Sequence, residues 1–449
     1  MAETQKIYDL IIRGGTLVTH NGIALGDVAV RQGRIVAIGD LATASAGEIV
    51  DARGLHVLPG VIDTQVHFRE PGNEHKEDLE AGSRGAVLGG VTGVFEMPNT
   101  APLTTNPEAL ADKLARAKDR MWCEHAFYMG GTGENAELLP ALERLPGVCG
   151  VKIFMGSSTG NLLTEDDPTL RRILGAINRR CAVHAEDEPR LKERQHLAEE
   201  AADPAAHPLW RDPETALRAT KRLIAIARET GARVHVLHIT TAEEMQFLAQ
   251  QKDVATVEVT PQHLTLAAPD CYAEMGTRAQ MNPPIRDENH RQGLWWGLDQ
   301  GVVDVIGSDH APHTLEEKAA TYPASPSGMP GVQTLLPVML DHVAAGRLSL
   351  LRLMDLLCAG PARLFGIAGK GRIAVGYDGD FTLVDLSAKR TILDADMANR
   401  SGWTPFHGRE VTGWPMATII RGQVVMQNGE LAAKAAGQPL RFGETLPGG

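Results

Sequence analysis

The sequence predicts an α/β protein in which a (β/α)8 TIM-like barrel carries a small composite β-sandwich made from both ends of the chain. Eight β-like apolar runs alternate with helical patterns through the middle of the sequence, as in a parallel barrel. Polar side chains that can bind metals follow several of these runs, and barrel enzymes keep their chemistry at the carboxyl ends of the strands. Short alternating strands at both termini predict the added sheet.

Both ends of the chain have the pattern of short antiparallel strands. In the N-terminal part, alternating segments separated by glycines lie at 8–12, 16–19, 27–31 and 34–38. In the C-terminal part, similar segments lie at 381–386, 416–421 and 423–427. Because neither half has a core of its own, we expect residues 1–56 and 365–449 to pair into one sandwich, interrupted by a barrel at 57–364.

Eight candidate strands fill the middle of the chain, at 57–67, 91–97, 124–129, 150–155, 181–185, 233–239, 256–260 and 303–308. Helical patterns separate most of them, at 106–120, 170–179, 213–230 and 241–251. The last helix opens with Thr241 at a cap position and Glu244 three residues on, which indicates a capping box. A doubly wound sheet is the alternative, but no GxGxxG turn follows an early strand to support it.

Charge and composition favour a small substrate. The 449 residues include 44 basic and 56 acidic side chains, a formal net charge of -12, so binding to nucleic acid through neutralised phosphates is not expected. Aromatic content of 4% offers few platforms for stacked bases. The five cysteines have no paired spacing, which indicates reduced, buried thiols rather than a disulfide frame or a zinc knuckle.

The sequence also predicts a cytoplasmic protein without a membrane partner. Residues 1–6 lack the long apolar core of a signal peptide. No uninterrupted apolar run approaches the roughly 20 residues that a membrane-spanning helix needs.

The chain is organised around the stretch 61–72, where an apolar run with β-branched residues gives way to a polar segment. Such a change is typical of a buried strand that delivers functional groups to an active-site mouth. A strand has a side-chain period of two, so Gln65, His67 and Arg69 share one face. If His67 points at a metal, the other two side chains lie in the same cavity.

Further polar residues fall at or near the ends of later strands, and together they predict a metal centre. Taken singly, a histidine here would be an ordinary hydrogen-bonded core residue, and a lysine would extend its amine to solvent. A buried polar group without a partner costs several kcal/mol, and one metal ion would satisfy all of these groups. The predicted ligands are His67, Lys152, His184, His238 and Asp309.

Lys152 fits this centre only if it loses its positive charge. Burial and nearby positive charge lower the pKa of a lysine, and a neutral amine can react with carbon dioxide to form a carbamate. That reaction converts a cation into a carboxylate able to bridge two metals. The alternative is a lysine that pairs with a neighbouring acid.

Several motifs carry a resemblance to a known family. The runs HFREPGNEHKEDLEAGSRGAVLGGVTGVFEMPNT, VKIFMGSSTG, VHAEDE, VLHITT, MNPPIR and GSDHAPHTLEEK resemble dihydroorotases of the long, class I type, in the cyclic-amidase branch of the amidohydrolase superfamily. The resemblance covers nearly the whole chain. It implies one or two zinc ions, bridged by carboxylated Lys152 and held by the ligands above.

One ligand position departs from the family pattern. The family has an HxH pair on the first strand, and this chain has Gln65 in place of the first histidine. An amide oxygen is a harder ligand than an imidazole nitrogen, so zinc should bind there less tightly. Gln65 either ligates weakly, or leaves a mononuclear enzyme, or marks a chain that has ceased to be a catalyst. Retention of the other residues favours activity. Gln262 also departs from a histidine, and no role is assigned to it.

The resemblance further implies a substrate and a mechanism. Asp309 would take a proton from the attacking water and deliver it to the leaving ring nitrogen, while the segment 314–331 resembles a loop over the mouth. The implied substrate contacts are Arg69, Asn99, Asn282, His313 and the backbone near Gly328. Arg69 suits a substrate carboxylate.

The expected activity is interconversion of dihydroorotate and N-carbamoyl-L-aspartate. The alternatives are another cyclic amidohydrolase (a hydantoinase, a dihydropyrimidinase or an allantoinase) and a non-catalytic subunit that partners aspartate transcarbamoylase. A homo-oligomer, either dimer or tetramer, is expected.

Overall fold

The computed structural model describes residues 8–157 and 162–443, which contain seventeen strands in two sheets. Five strands precede the barrel: β1 (Tyr8–Thr19), β2 (Gly22–Arg31), β3 (Arg34–Gly39), β4 (Ala46–Asp51) and β5 (His56–Pro59). Eight form the barrel: β6 (Val61–Val66), β7 (Val91–Glu96), β8 (Glu124–Gly130), β9 (Val148–Phe154), β10 (Cys181–His184), β11 (Val234–Val236), β12 (Ala255–Val259) and β13 (Val305–Ile306). Four follow: β14 (Phe381–Thr391), β15 (Glu410–Ile420), β16 (Gln423–Gln427) and β17 (Glu430–Leu431).

The two ends of the chain form one nine-stranded sheet, which confirms the predicted composite β-structure. Its order is β17-β16-β15-β14-β5-β1-β2-β3, with β4 beside β1. The two halves join where β14 pairs antiparallel with β5, in a register that sets Leu383 opposite Val57. Leu10 and Val28 from the first half share a core with Phe381 and Ile419 from the second, so neither half buries its apolar face alone.

The prediction of a single strand at 57–67 is wrong, because the chain changes sheet in the middle of this run. β5 belongs to the terminal sheet and β6 to the barrel, and Gly60 lies between them. The Gly60 N–H donates to the Asp380 carbonyl, and a Cβ at this position would lie 2.4 Å from Thr92 Oγ1. Glycine therefore allows the close approach that the transition needs.

The other sheet is a parallel eight-stranded barrel, as predicted, with the order β6 to β13. β13 is short, and closure depends on the residues just after it. The His67 N–H donates to the His310 carbonyl at 2.7 Å, and the Ser308 N–H donates to Asp63 Oδ1 at 2.9 Å. These bonds hold the first and last strands together, so polar side chains that follow both strands are brought to the same place.

Helices surround the barrel and connect its strands. They are α1 (Leu79–Leu88), α2 (Pro107–Ala117), α3 (Leu139–Leu142), α4 (Asp167–Ala176), α5 (Glu188–Ala201), α6 (His207–Trp210), α7 (Pro213–Thr230), α8 (Ala242–Leu248), α9 (Pro261–Thr265), α10 (Asp270–Met275), α11 (Glu288–Asp299), α12 (Leu315–Lys318), α13 (Leu335–Ala344), α14 (Leu350–Met354) and α15 (Gly360–Phe365). The Thr241 side chain accepts from the Glu244 N–H at the start of α8, as the cap pattern predicts. In the described part of the chain, no helix combines the length and apolar character required to span a bilayer.

Candidate active site

The structure brings the predicted ligands together at the carboxyl end of the barrel. They lie in or just after β6, β9, β10, β11 and β13, and all are buried: Gln65, His67, Lys152, His184, His238 and Asp309. His238 has a φ of 36° and Asp309 a φ of 44°. Non-glycine residues in this left-handed region cost about 1–3 kcal/mol and cluster at functional sites. The backbone just after β11 and β13 thus takes a left-handed conformation at His238 and Asp309, which directs these two side chains into the site.

One half of the site is a pair of histidines facing each other. His184 Nδ1 lies 3.1 Å from His238 Nε2. Burial lowers the pKa of both imidazoles, and burial together with the nearby His184 brings the pKa of His238 well below its usual value. Neutral imidazoles at this spacing can act as ligands to a single metal ion.

His184 is oriented by two residues that the sequence analysis missed. Its Nε2 lies 2.8 Å from Glu186 Oε2, and Glu186 in turn forms a buried ion pair with Arg211. A carboxylate can only accept here, so Nε2 carries the proton and Nδ1 presents its lone pair to His238. The signal was available in VHAEDE, because residues i and i+2 at a strand end share a face.

Arg211 and His184 also determine the charge of Glu186. Burial alone would raise the pKa of Glu186, but the charge of Arg211 and the hydrogen bond from His184 outweigh it and hold the pKa well below its usual range. Glu186 is therefore ionised and supports His184 as a ligand.

The other half of the site is arranged around the Asp309 carboxylate. Gln65 Nε2 donates to Asp309 Oδ1 at 2.9 Å, and His67 Nε2 lies 3.2 Å from the same oxygen. His67 Nδ1 lies 2.8 Å from Asn99 Oδ1, so the Asn99 side chain orients this imidazole. Burial would raise the pKa of Asp309, but the contact with His67 and nearby positive charge lower it below its usual range.

Lys152 lies inside the barrel, where its charge adds to the effect of burial and lowers the pKa of His67 in one half of the site and of His184 and His238 in the other. Its side chain is fully buried, and its Nζ has no hydrogen-bond partner in the described part of the chain. Nζ lies 4.2 Å from the centre of the Phe154 ring. Burial lowers the pKa of Lys152 to about 7, so a large share of the amine is neutral at neutral pH. This is the state that a carbamate requires.

The donor set fits a metal on the side of the two histidines. Two imidazole nitrogens face each other there. The amine of Lys152, which has no hydrogen-bond partner among the described residues, would become a carboxylate ligand on reaction with carbon dioxide. Zinc binds nitrogen and oxygen donors of these types. The fit is poorer on the side of Gln65, because its amide nitrogen, a donor, points at Asp309.

Arg69 lies beside this centre, just beyond the end of β6. It is 5% exposed and has a φ of 63°, and burial lowers its pKa to about 10. Its Nε donates to the Pro312 carbonyl at 3.2 Å, and an Nη lies 3.3 Å from His313 Nε2. No carboxylate of the described residues lies within 4 Å of its guanidinium. A buried cation without a counter-ion is suited to an anionic ligand.

His313 and Gly328 hold the loop beside Arg69. Lys76 Nζ lies 3.2 Å from His313 Nδ1, and His313 Nε2 lies 3.0 Å from the Ser327 carbonyl oxygen. The Gly328 N–H donates to the Gln280 carbonyl at 2.9 Å. Both predicted substrate residues are therefore engaged with protein, and their contact with a substrate stays a prediction.

Asn282 lies on the wall of a cavity that it shares with Arg211. Its Oδ1 accepts from His207 Nε2 at 3.0 Å. The cavity has a volume of about 340 Å³, and its lining includes Trp210, Arg211, Gln280, Asn282 and Ser327. Because Arg211 also contacts Glu186, this cavity borders the residues that orient His184.

A separate cluster of carboxylates lies among the residues that the structure describes, where the barrel meets the terminal sheet. It consists of Glu124, Asp378 and Asp380, whose oxygens are close enough to hold a cation. The ammonium of Lys370 already bridges all three carboxylates. We therefore read it as a buried ion-pair cluster that fastens the two sheets together rather than a metal site.

A parallel barrel with buried histidines and a carboxylate at the carboxyl ends of its strands is the arrangement of a metal-dependent barrel enzyme. Comparison with known proteins agrees, since the amidohydrolase family model matches residues 56–425. This chain belongs to the amidohydrolase family.

Its relatives lie in the cyclic-amidase branch. The dihydroorotase of Halobacterium salinarum is 39% identical over 415 residues, which cover 91% of this chain and 94% of the relative. The dihydroorotase of Methanosarcina mazei is 34% identical over 443 residues, covering 95% and 96%. The solved structure of an L-hydantoinase (dihydropyrimidinase) from Arthrobacter aurescens superposes with a TM-score of 0.92 at 30% identity, covering 97% of this chain and all of that one.

Proposed function

We propose that this protein is a zinc-dependent dihydroorotase that interconverts (S)-dihydroorotate and N-carbamoyl-L-aspartate in pyrimidine biosynthesis. The names of its relatives support this choice within the cyclic amidases. The structural observation that supports it most is the buried guanidinium of Arg69 without a carboxylate partner among the described residues. Dihydroorotate carries a carboxylate on its ring, and this anion would complete the pair.

Zinc would be held by His184, His238 and the carboxylated Lys152, and would supply Lewis-acid polarisation of the scissile amide carbonyl and activation of water. The remaining steps belong to the chain. Asp309, ionised because its pKa is lowered, accepts a proton from the attacking water and passes it to the leaving nitrogen. Arg69 orients the ring by binding its carboxylate.

The proposal is tested by comparing rings with and without a carboxylate. We expect turnover of dihydroorotate, and little of dihydrouracil, which has the same ring without that group. Arg69→Met removes two charge-assisted hydrogen bonds of about 1.5–3 kcal/mol each, partly replaced by water. The kcat/KM for dihydroorotate should fall by roughly 10²- to 10³-fold.

A matched control is Arg84→Met, since Arg84 is 41% exposed on α1 and its ion-pair partner among the described residues is Glu80. This variant should retain the kcat/KM of the unmodified protein. Equal turnover by Arg69→Met, or a preference for dihydrouracil over dihydroorotate, would refute the assignment.

A hydantoinase is the second candidate, and the close superposition on the Arthrobacter aurescens enzyme favours it. Hydantoin has no ring carboxylate, so a hydantoinase would not depend on Arg69 for its kcat/KM. Measuring hydantoin hydrolysis by the Arg69→Met variant therefore separates the two activities.

A non-catalytic subunit of aspartate transcarbamoylase is the third candidate, and the hydrogen bond that Gln65 makes to Asp309 is the observation in its favour. Absence of turnover in a sample whose zinc content has been verified would support it. A cytoplasmic homo-oligomer, dimer or tetramer, stays a prediction that size measurement tests.

A further inference from the structure

The orientation of the Gln65 amide is determined by its surroundings. Gln65 is 1% exposed, and the group facing Asp309 Oδ1 at 2.9 Å is its amide nitrogen. Exchanging oxygen and nitrogen would set a carbonyl oxygen against a buried carboxylate oxygen, with no proton between them. The amide must therefore donate to Asp309 as long as that carboxylate is ionised.

This orientation opposes the binding of a cation at that half of the site. The lone pair of an amide nitrogen is delocalised, so the nitrogen donates a hydrogen bond and does not coordinate zinc. To coordinate through oxygen, Gln65 would have to turn its amide and break its bond to Asp309. It would then offer zinc a harder donor than imidazole. His67 Nε2 faces the same Oδ1 at 3.2 Å, so two neighbouring groups already surround that oxygen.

In the described part of the chain, the half of the site that contains His184 and His238 has no amide that takes the place of an ion. His184 Nδ1 and His238 Nε2 face each other, and Lys152 Nζ has no hydrogen-bond partner among the described residues. The two facing nitrogens satisfy only each other, and Lys152 Nζ and His238 Nδ1 are left without a partner among the described residues, which an ion bound by this set would change. On the other side, Gln65 Oε1 is also buried without a partner among the described residues, but the amide nitrogen of Gln65 already engages the Asp309 carboxylate that a second ion would need.

We infer that the chain holds one divalent ion, at His184, His238 and carboxylated Lys152, and that Gln65 takes the place of a second ion by holding Asp309 through a hydrogen bond. The inference rests on the proposed function for the presence of the first ion. It adds that Asp309 is oriented by a neutral amide donor instead of a cation. In this chain, Gln65 is a positioning residue for the proton carrier.

The experiment counts metal without reference to activity. Protein stripped of metal is reconstituted with excess Co²⁺ and bicarbonate, freed of unbound ion, and measured for cobalt per chain and for its electron paramagnetic resonance signal. The unmodified protein should hold about one ion with an uncoupled signal, since only one set of nitrogen and oxygen donors is complete. Gln65→His should approach two ions, with a signal weakened by magnetic coupling between them.

Gln280→His is the matched control, because Gln280 is also buried but contacts Ser325, away from Asp309. It should leave the count at about one ion, because the added imidazole joins no other ligand. Two ions in the unmodified protein, or no increase in a folded Gln65→His variant, would overturn the inference.

If Gln65→His fails to fold, anomalous diffraction from crystals of the unmodified protein gives the answer. One zinc peak between His184 and His238 supports the inference, and a second peak between His67 and Asp309 overturns it. Two ions together with dihydroorotate turnover would leave the proposed function intact and remove only this inference. A folded chain that binds no ion would remove both.

Discussion

Replacing Glu186 with glutamine should weaken metal binding without changing any proposed ligand. Glu186→Gln keeps the size of the side chain but removes the charge that holds the proton on His184 Nε2, 2.8 Å away. Loss of such an outer partner lowers metal affinity by about 10- to 100-fold, or roughly 1.4–2.7 kcal/mol. The same change deprives buried Arg211 of its counter-ion.

The loss of that ion pair sets the expected effect on stability. Removing one partner of a buried pair costs about 3–5 kcal/mol. Arg211 keeps a hydrogen bond to the Ser157 carbonyl at 2.7 Å, so we expect the free energy of unfolding to fall by about 3 kcal/mol, at the lower end. Zinc affinity is measured by competition with a chromogenic chelator, and stability by urea unfolding of the metal-free protein.

Glu188→Gln is the matched control for this prediction. Glu188 is also buried and accepts from Ser157 at 2.7 Å, but it does not contact His184. Its zinc affinity should stay within about 3-fold of the unmodified protein, because no outer partner of a ligand is lost. Equal zinc affinity in all three proteins would refute the argument that Glu186 sets the proton position on His184.

Two further predictions concern stability. Lys370→Met leaves three buried carboxylates around an apolar side chain and should lower the free energy of unfolding, measured in urea, by about 3–5 kcal/mol. The control Lys389→Met, at an exposed position of β14, should change it by less than about 0.5 kcal/mol. Equal stability of the two variants would contradict the role of the Lys370 cluster. Gly328→Ala places a Cβ 2.4 Å from the Ala311 carbonyl oxygen at a φ of 135°. In thermal unfolding this variant should lose more stability than Gly346→Ala, whose Cβ meets no atom within 4 Å. The reverse order would show that the loop around Gly328 relaxes freely.

The sequence predicted the barrel because strand and helix periods alternate clearly, and it predicted the ligand positions because strand ends are recognisable. It failed at Gly60, where two strands of different sheets are continuous in hydrophobicity. Only the close contact with Thr92 and the bond to Asp380 distinguish them. No local pattern contains that information.

The supporting residues were harder to predict than the ligands. Arg211 reaches Glu186 from outside the barrel strands, so periodicity could not pair them. The amide of Gln65 faces Asp309 because the barrel closes between β6 and β13. A residue type can suggest a ligand, but the group that it faces depends on contacts between distant parts of the chain.

The pairing of β5 with β14 has a consequence for biosynthesis. Pro59 finds its partner only when Phe381 has left the ribosome, and at about 5–20 residues per second that wait lasts tens of seconds. During this time the nascent chain exposes an unpaired β-edge of the kind that promotes aggregation. Chaperone protection should therefore matter most before synthesis of the last strands is complete. Chains that lack the C-terminal strands should be insoluble rather than merely inactive.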